Sequence, residues 1–188
     1  MKEISKDGLL LCELQAETFE NSIDQIESSS EIFIRRFMKS EIAKRFDNES
    51  ILESNIQAND VLESVIEQYG VSNYGSIKYT RNEIYWIGYI YRYFAFTYKL
   101  SSAQVYKIVK PKELRGVFLP YHTMDPAQAI ERILEAKGIL TDENEELNRS
   151  SMPVRVYDST LLSLVKELNA TGLMDRNYVY TFSRNMLR

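Results

Sequence analysis

Apolar side chains in the first two thirds of the sequence recur mostly at three- and four-residue spacing, the signature of helices with one buried face. From Glu31 they fall at Ile34, Phe37, Met38, Ile42 and Phe46, and Ser28-Ser29-Ser30 offers a cap for a helix running to the break at Asp47-Asn48-Glu49-Ser50. Arg35, Lys39, Lys44 and Arg45 point away from that face. A second helix is expected from Asp60 to Tyr69, with Val61, Leu62, Val65 and Ile66 inward and Gly70 just past its end. Ahead of these, Glu17 to Glu27 reads as a weak helix, and Leu9 to Leu14, after the turn signal Lys6-Asp7-Gly8, reads as a short strand.

The middle of the chain has stronger stop and start signals. Thr80 and Glu83 form a capping box for a helix reaching about Tyr98. Eight of the fourteen residues from Tyr85 to Tyr98 are aromatic and lie all round the helix, so it is expected to be central and covered on most sides. Gly88 within it suits a close neighbour. Ser101 and Gln104 form a second capping box, and the helix they start must end before Pro111. Lys112 to Phe118 reads as a helical turn. Asp125-Pro126-Ala127-Gln128 opens a last helix with Ala129, Ile130, Ile133 and Leu134 as its core face and Gly138 at its end.

Beyond Gly138 the pattern changes. Residues 141–151 are polar and acidic, Val154 to Tyr157 and Tyr178 to Phe182 alternate like strands, and Thr160 to Leu168 is helical in spacing. The organisation expected is an N-terminal extension over residues 1–29, partly helical, and a helical core domain over 30–138. A linker over 139–153 and a small strand-helix-strand element over 154–188 would follow. The fold class is mainly α, a multi-helix domain with a small β element formed by the chain termini.

Composition adds boundaries. The chain has 188 residues, 44% of them hydrophobic and 27% charged, as in soluble globular proteins, which excludes a disordered tail or a collagen-like fibre. The start MKEISKDGLLLCELQAETFE lacks a signal-peptide pattern, and Ile84 to Phe96 is short for a membrane span and interrupted by Arg92, so a cytoplasmic protein is expected. One cysteine, Cys12, and one histidine, His122, leave no set for a disulfide or a transition metal, and no cofactor is expected.

The net charge of -4 hides an asymmetry. Residues 1–70 carry seven basic and fifteen acidic side chains, residues 71–116 eight basic and two acidic, and residues 117–188 eight and ten. The basic, tyrosine-rich middle either complements the acidic first third internally or forms a docking surface for an acidic protein or a nucleic acid. Tyr89, Arg92, Tyr93, Lys107, Lys110, Arg115, Tyr121 and His122 are the partner-contact candidates, since tyrosine and arginine are favoured at interface hot spots. Tyr89 to Val109 also has the spacing of a helix-turn-helix, in which Ser102, Gln104, Lys107 and Lys110 would face DNA. Many helical proteins use such a corner without DNA. His122, between Tyr121 and Asp125, is the one candidate general base, against the simpler reading of a loop anchor.

Several segments carry a family resemblance: EIFIRRFMKSEIAKRFD (Glu31–Asp47), YWIGYIYRY (Tyr85–Tyr93), LSSAQVYKIVKPKELR (Leu100–Arg115) and YHTMDPAQAIERILEAK (Tyr121–Lys137). Over about residues 30–137 the chain resembles a family of small bacterial proteins, common in Firmicutes, described as antitoxins of predicted toxin–antitoxin systems. The resemblance implies a non-catalytic interaction protein that binds and neutralises a cognate toxin enzyme encoded by a neighbouring gene. It carries no catalytic residues and does not cover the tail from about Ile139. The alternative is a helix-turn-helix regulator binding operator DNA, followed by an enzyme centred on His122. A second copy of the chain is a further partner the sequence leaves open.

Overall fold

The computed structural model describes residues 3–139, in which eight α-helices and one 3-10 turn follow one another without a strand. The helices are α1 (Lys6–Gln25), α2 (Ser30–Phe37), α3 (Glu41–Asp47), α4 (Ala58–Tyr69), α5 (Arg81–Thr97), α6 (Ser102–Ile108), α7 (Pro111–Tyr121) and α8 (Pro126–Ala136), with the 3-10 turn at Ser50–Glu53. The mainly helical class is therefore correct. None of the described helices is long and apolar enough to cross a membrane.

The β element expected from the termini is corrected at its N-terminal half. Leu9 to Leu14 lies inside α1, whose first turn is capped by Ser5 accepting from the Gly8 N–H at 3.1 Å. The buried stripe of α1 is Leu11, Cys12, Gln15, Ala16, Thr18, Phe19 and Ser22, while Leu9 and Leu10 face solvent. Three polar residues on the inner face and two leucines outside blur the 3.6-residue period that would announce this helix. The strand candidates Val154 to Tyr157 and Tyr178 to Phe182, the helix Thr160 to Leu168 and the linker lie outside the described residues.

The helix expected to run from Glu31 to Phe46 is two helices. Ser40 ends α2 and starts α3: its hydroxyl donates to the Phe37 carbonyl at 2.7 Å and accepts from the Ala43 N–H at 3.1 Å. The apolar face survives the break, and Ile34, Phe37, Met38, Ile42 and Phe46 are all buried. At the other end of α2, the N–H groups of Ser29 and Ser30 find the carbonyls of Tyr74 and Ile77 in the connection before α5. That connection thus satisfies donors a helix start leaves open.

Helix α5 is central, with ten of its seventeen residues buried, and it packs along α1 more extensively than any other pair of elements. Phe19 meets Phe33 and Phe37 edge-on at 5.4 and 4.9 Å, and Phe37 meets Phe46 at 5.7 Å, which ties α1, α2 and α3 together. Each such buried ring stabilises the fold by about 1.5–3 kcal/mol relative to exposure. Val61, Leu62 and Val65 of α4, and Ala129, Ile130, Ile133 and Leu134 of α8, add to the same core. Both capping boxes expected for α5 and α6 are present, and Asp125 caps α8 through the Ala127 N–H at 2.9 Å. Gly70 and Gly138 follow α4 and α8 at φ of 72° and 69°, a conformation that favours glycine.

The crossing of α1 and α5 depends on Gly88. A Cβ placed there would lie 3.0 Å from the Ala16 Cα, the Gln15 carbonyl oxygen and the Phe19 ring. The Gln15 side chain also donates to the Gly88 carbonyl at 3.0 Å. Gly88→Ala should therefore destabilise the protein by about 1–3 kcal/mol in urea unfolding, because backbone rather than a flexible side chain must give way. Gly116→Ala is the control: nothing lies within 4 Å of its added Cβ, and removing a helical glycine there should stabilise by about 0.5–1 kcal/mol.

Candidate interaction surface

The partner-contact candidates do not form one face. Arg92 is the largest departure: it is 1% exposed, inside the core. Its Nε donates to Gln15 Oε1 at 2.9 Å, one terminal nitrogen to Asp47 Oδ1 at 2.9 Å and the other to Ser102 Oγ at 2.6 Å. Burial lowers the affinity of the guanidinium for its proton, and the Asp47 carboxylate opposes that shift. Arg92 is thus an internal tie, because a buried charge must be paired, and it is corrected as a partner contact.

Ser102 is likewise corrected as a DNA contact. It is 1% exposed, its N–H meets both Asp47 oxygens at 3.0 Å, and its hydroxyl donates to Asp47 Oδ1 at 2.6 Å. Gln104 is exposed, but its amide oxygen accepts from the Ser101 N–H and hydroxyl at 2.8 and 2.9 Å, closing the start of α6. Two of the four side chains expected to face DNA are thus committed to holding α6 in place.

Other candidates have local partners too. Arg115 Nε pairs with Glu83 at 3.0 Å, and its guanidinium lies 4.6 Å from the Tyr79 ring centre. Tyr121 packs half-buried against the core. His122 is exposed, stacks on Phe118 at 4.7 Å, and its Nδ1 faces the Phe118 and Leu119 carbonyls at 3.1 and 3.0 Å. It closes the end of α7. Tyr89 and Tyr93 stack on each other at 6.3 Å along α5, and burial pushes the Tyr89 hydroxyl up to about 12.

Lys107 and Lys110 are different. Both are exposed at the α6–α7 corner, and the fold brings Arg35 of α2 and Lys39 of the turn after it to the same place around the half-buried Tyr106. Lys110 Nζ lies 4.2 Å from the Tyr106 ring centre and donates to the Tyr106 carbonyl at 2.7 Å, while Lys39 Nζ lies 5.9 Å from the same ring. Partial burial lowers the proton affinity of Lys110, and the charges of Lys39, Lys137 and Lys107 lower it further against the pull of Glu113. No ion pair among the described residues involves Arg35, Lys39, Lys107 or Lys110. Sequence reasoning missed Arg35 and Lys39 as site residues. Their signal was a like-charge pair four residues apart, both off the apolar face of their segment and exposed.

A cleft of about 270 Å³ lies elsewhere, between Ile26, Phe33, Arg36, Val65 and Gly70, and none of the candidate contacts lines it. Cys12 sits fully buried on α1, where burial raises its thiol to about 12. Comparison with known proteins found no matching family model, no similar curated protein and no similar solved structure.

Cys12 gives a direct check on the α1–α5 packing. The thiolate is the reactive form, so native protein at mildly alkaline pH should resist an aromatic disulfide reagent. Urea-unfolded protein should release one thiol per chain promptly, because Cys12 is the only cysteine. Equal labelling rates in both states would contradict the buried position.

Proposed function

We propose that the chain is an antitoxin-like, non-catalytic interaction protein that works in the cytoplasm by binding and neutralising a toxin enzyme encoded by a neighbouring gene. The observation that carries this reading is the convergence of Arg35, Lys39, Lys107 and Lys110 on Tyr106, a solvent-facing cationic patch with an aromatic centre. Such anatomy, an aromatic anchor ringed by charge, favours protein recognition. All five residues fall within the stretch that resembles the antitoxin family. Binding would act by covering the toxin's active site or by holding it in an inactive form.

Operator DNA is the second reading. The exposure of Lys107 and Lys110 favours phosphate contact, whereas the commitment of Gln104 and Ser102 to the α6 cap and core weighs against base readout.

Co-expression with the neighbouring gene is the test. The two products should co-purify, and the chain should restore growth to cells expressing the neighbour alone. Absence of both the complex and the rescue would overturn the proposal. A mobility shift with upstream DNA at low salt, stronger than with unrelated DNA, would support the operator reading instead.

A further inference from the structure

We infer that the Tyr106-centred patch docks an acidic protein segment, a partner helix or loop presenting several carboxylates, against Arg35, Lys39, Lys107 and Lys110. The inference rests on the antitoxin-like reading for the partner being a protein, and it adds that partner's chemistry.

Three observations carry it. First, the cations come from two parts of the chain, α2 with the turn after it and the α6–α7 corner, and lie close enough to act on one another and on the Tyr106 ring. Their mutual repulsion is a cost of the free protein, which an incoming anion relieves, so the bound state gains more than the simple pairing. Second, Lys39 and Lys110 stand over one half-buried ring. A carboxylate drawn to this ring finds ammonium charge beside an apolar surface, where attraction is screened less than in open water.

Third, two acids stand among the cations. Glu31, which accepts the Tyr79 hydroxyl at 2.9 Å, acts on Tyr106. Glu113 pairs with Lys137 and accepts the Lys110 N–H at 2.6 Å. A long polyphosphate backbone tracking the patch would also meet these two carboxylates. Four cations with carboxylates among them therefore favour an acidic peptide over a nucleic acid, which uses an extended basic track.

The experiment measures binding of the full chain to a fluorescent oligoglutamate peptide and to duplex DNA of matched charge at low salt. Oligoglutamate should bind, and its binding should fall steeply as salt is raised. The double variant Lys39→Glu/Lys110→Glu should weaken it by at least about ten-fold, as expected when close charge pairs are reversed. Arg132→Glu, an exposed reversal on α8 outside the five patch residues, should leave it within about two-fold. Circular dichroism checks the fold, and Arg35→Ala/Lys107→Ala provides a milder variant that should also lose affinity. Absence of oligoglutamate binding, tighter binding of DNA than of oligoglutamate, or equal loss in Arg132→Glu would each overturn the inference. Retention of the neighbouring gene's product by Lys39→Glu/Lys110→Glu would overturn the patch while leaving the antitoxin-like reading intact. Lack of any complex with that product, alongside patch-dependent oligoglutamate binding, would overturn that reading while the acidic chemistry of the patch held.

Discussion

A buried guanidinium sets the arrangement of this fold. Taking an ion out of water costs several kcal/mol, so Arg92 can sit at the core only if its surroundings satisfy it. They do so from four helices: α5 carries it, α1 supplies Gln15, α3 supplies Asp47 and α6 supplies Ser102. The Phe46 ring lies 5.1 Å from the guanidinium and covers it. Moving any one of these helices would leave a charge or a hydrogen-bonding group unpaired, so the network fixes how they meet.

The surface follows from that interior constraint. Asp47 holds the start of α6 through the Ser102 N–H and hydroxyl, which places the α6–α7 corner beside the α2–α3 pair. Tyr106, Lys107 and Lys110 then come within reach of Arg35 and Lys39, although about seventy residues separate the two groups in sequence. Gln15 links the same node to the α1–α5 crossing, since one end of its amide accepts from Arg92 and the other donates to the Gly88 carbonyl. The close backbone approach at Gly88 and the buried charge at Arg92 are therefore adjacent parts of one arrangement, one turn apart on α5.

Local chemistry made much of this legible from sequence. The boxes Thr80/Glu83 and Ser101/Gln104, the Asp125-Pro126 start, and the glycines at 70 and 138 each act within one helical turn, and all stand where the sequence put them. Gly88 was readable as a close approach because a lone glycine in a helix of large side chains needs a packing reason. Features set by tertiary partners were not legible. The inner face of α1 hides behind Gln15, Thr18 and Ser22, whose polarity is answered by hydrogen bonds to backbone or to Arg92. Arg92 itself read as a contact because arginine among tyrosines suits an interface hot spot, and its partner Asp47 lies forty-five residues away in sequence. The patch was half legible: Lys107 and Lys110 were evident, but only the fold brings Arg35 and Lys39 to them.

The dependence of α3, α5 and α6 on one buried pair is measurable by a double-mutant cycle, with Arg92→Met, Asp47→Ala and the combination unfolded in urea. Asp47→Ala alone strands the guanidinium and should cost about 3–5 kcal/mol. The combined variant should cost clearly less than the sum of the two, giving a coupling of at least about 2 kcal/mol. Single costs under about 1 kcal/mol that simply add would contradict the account, because Arg92 would then be packed beside Asp47 without depending on it.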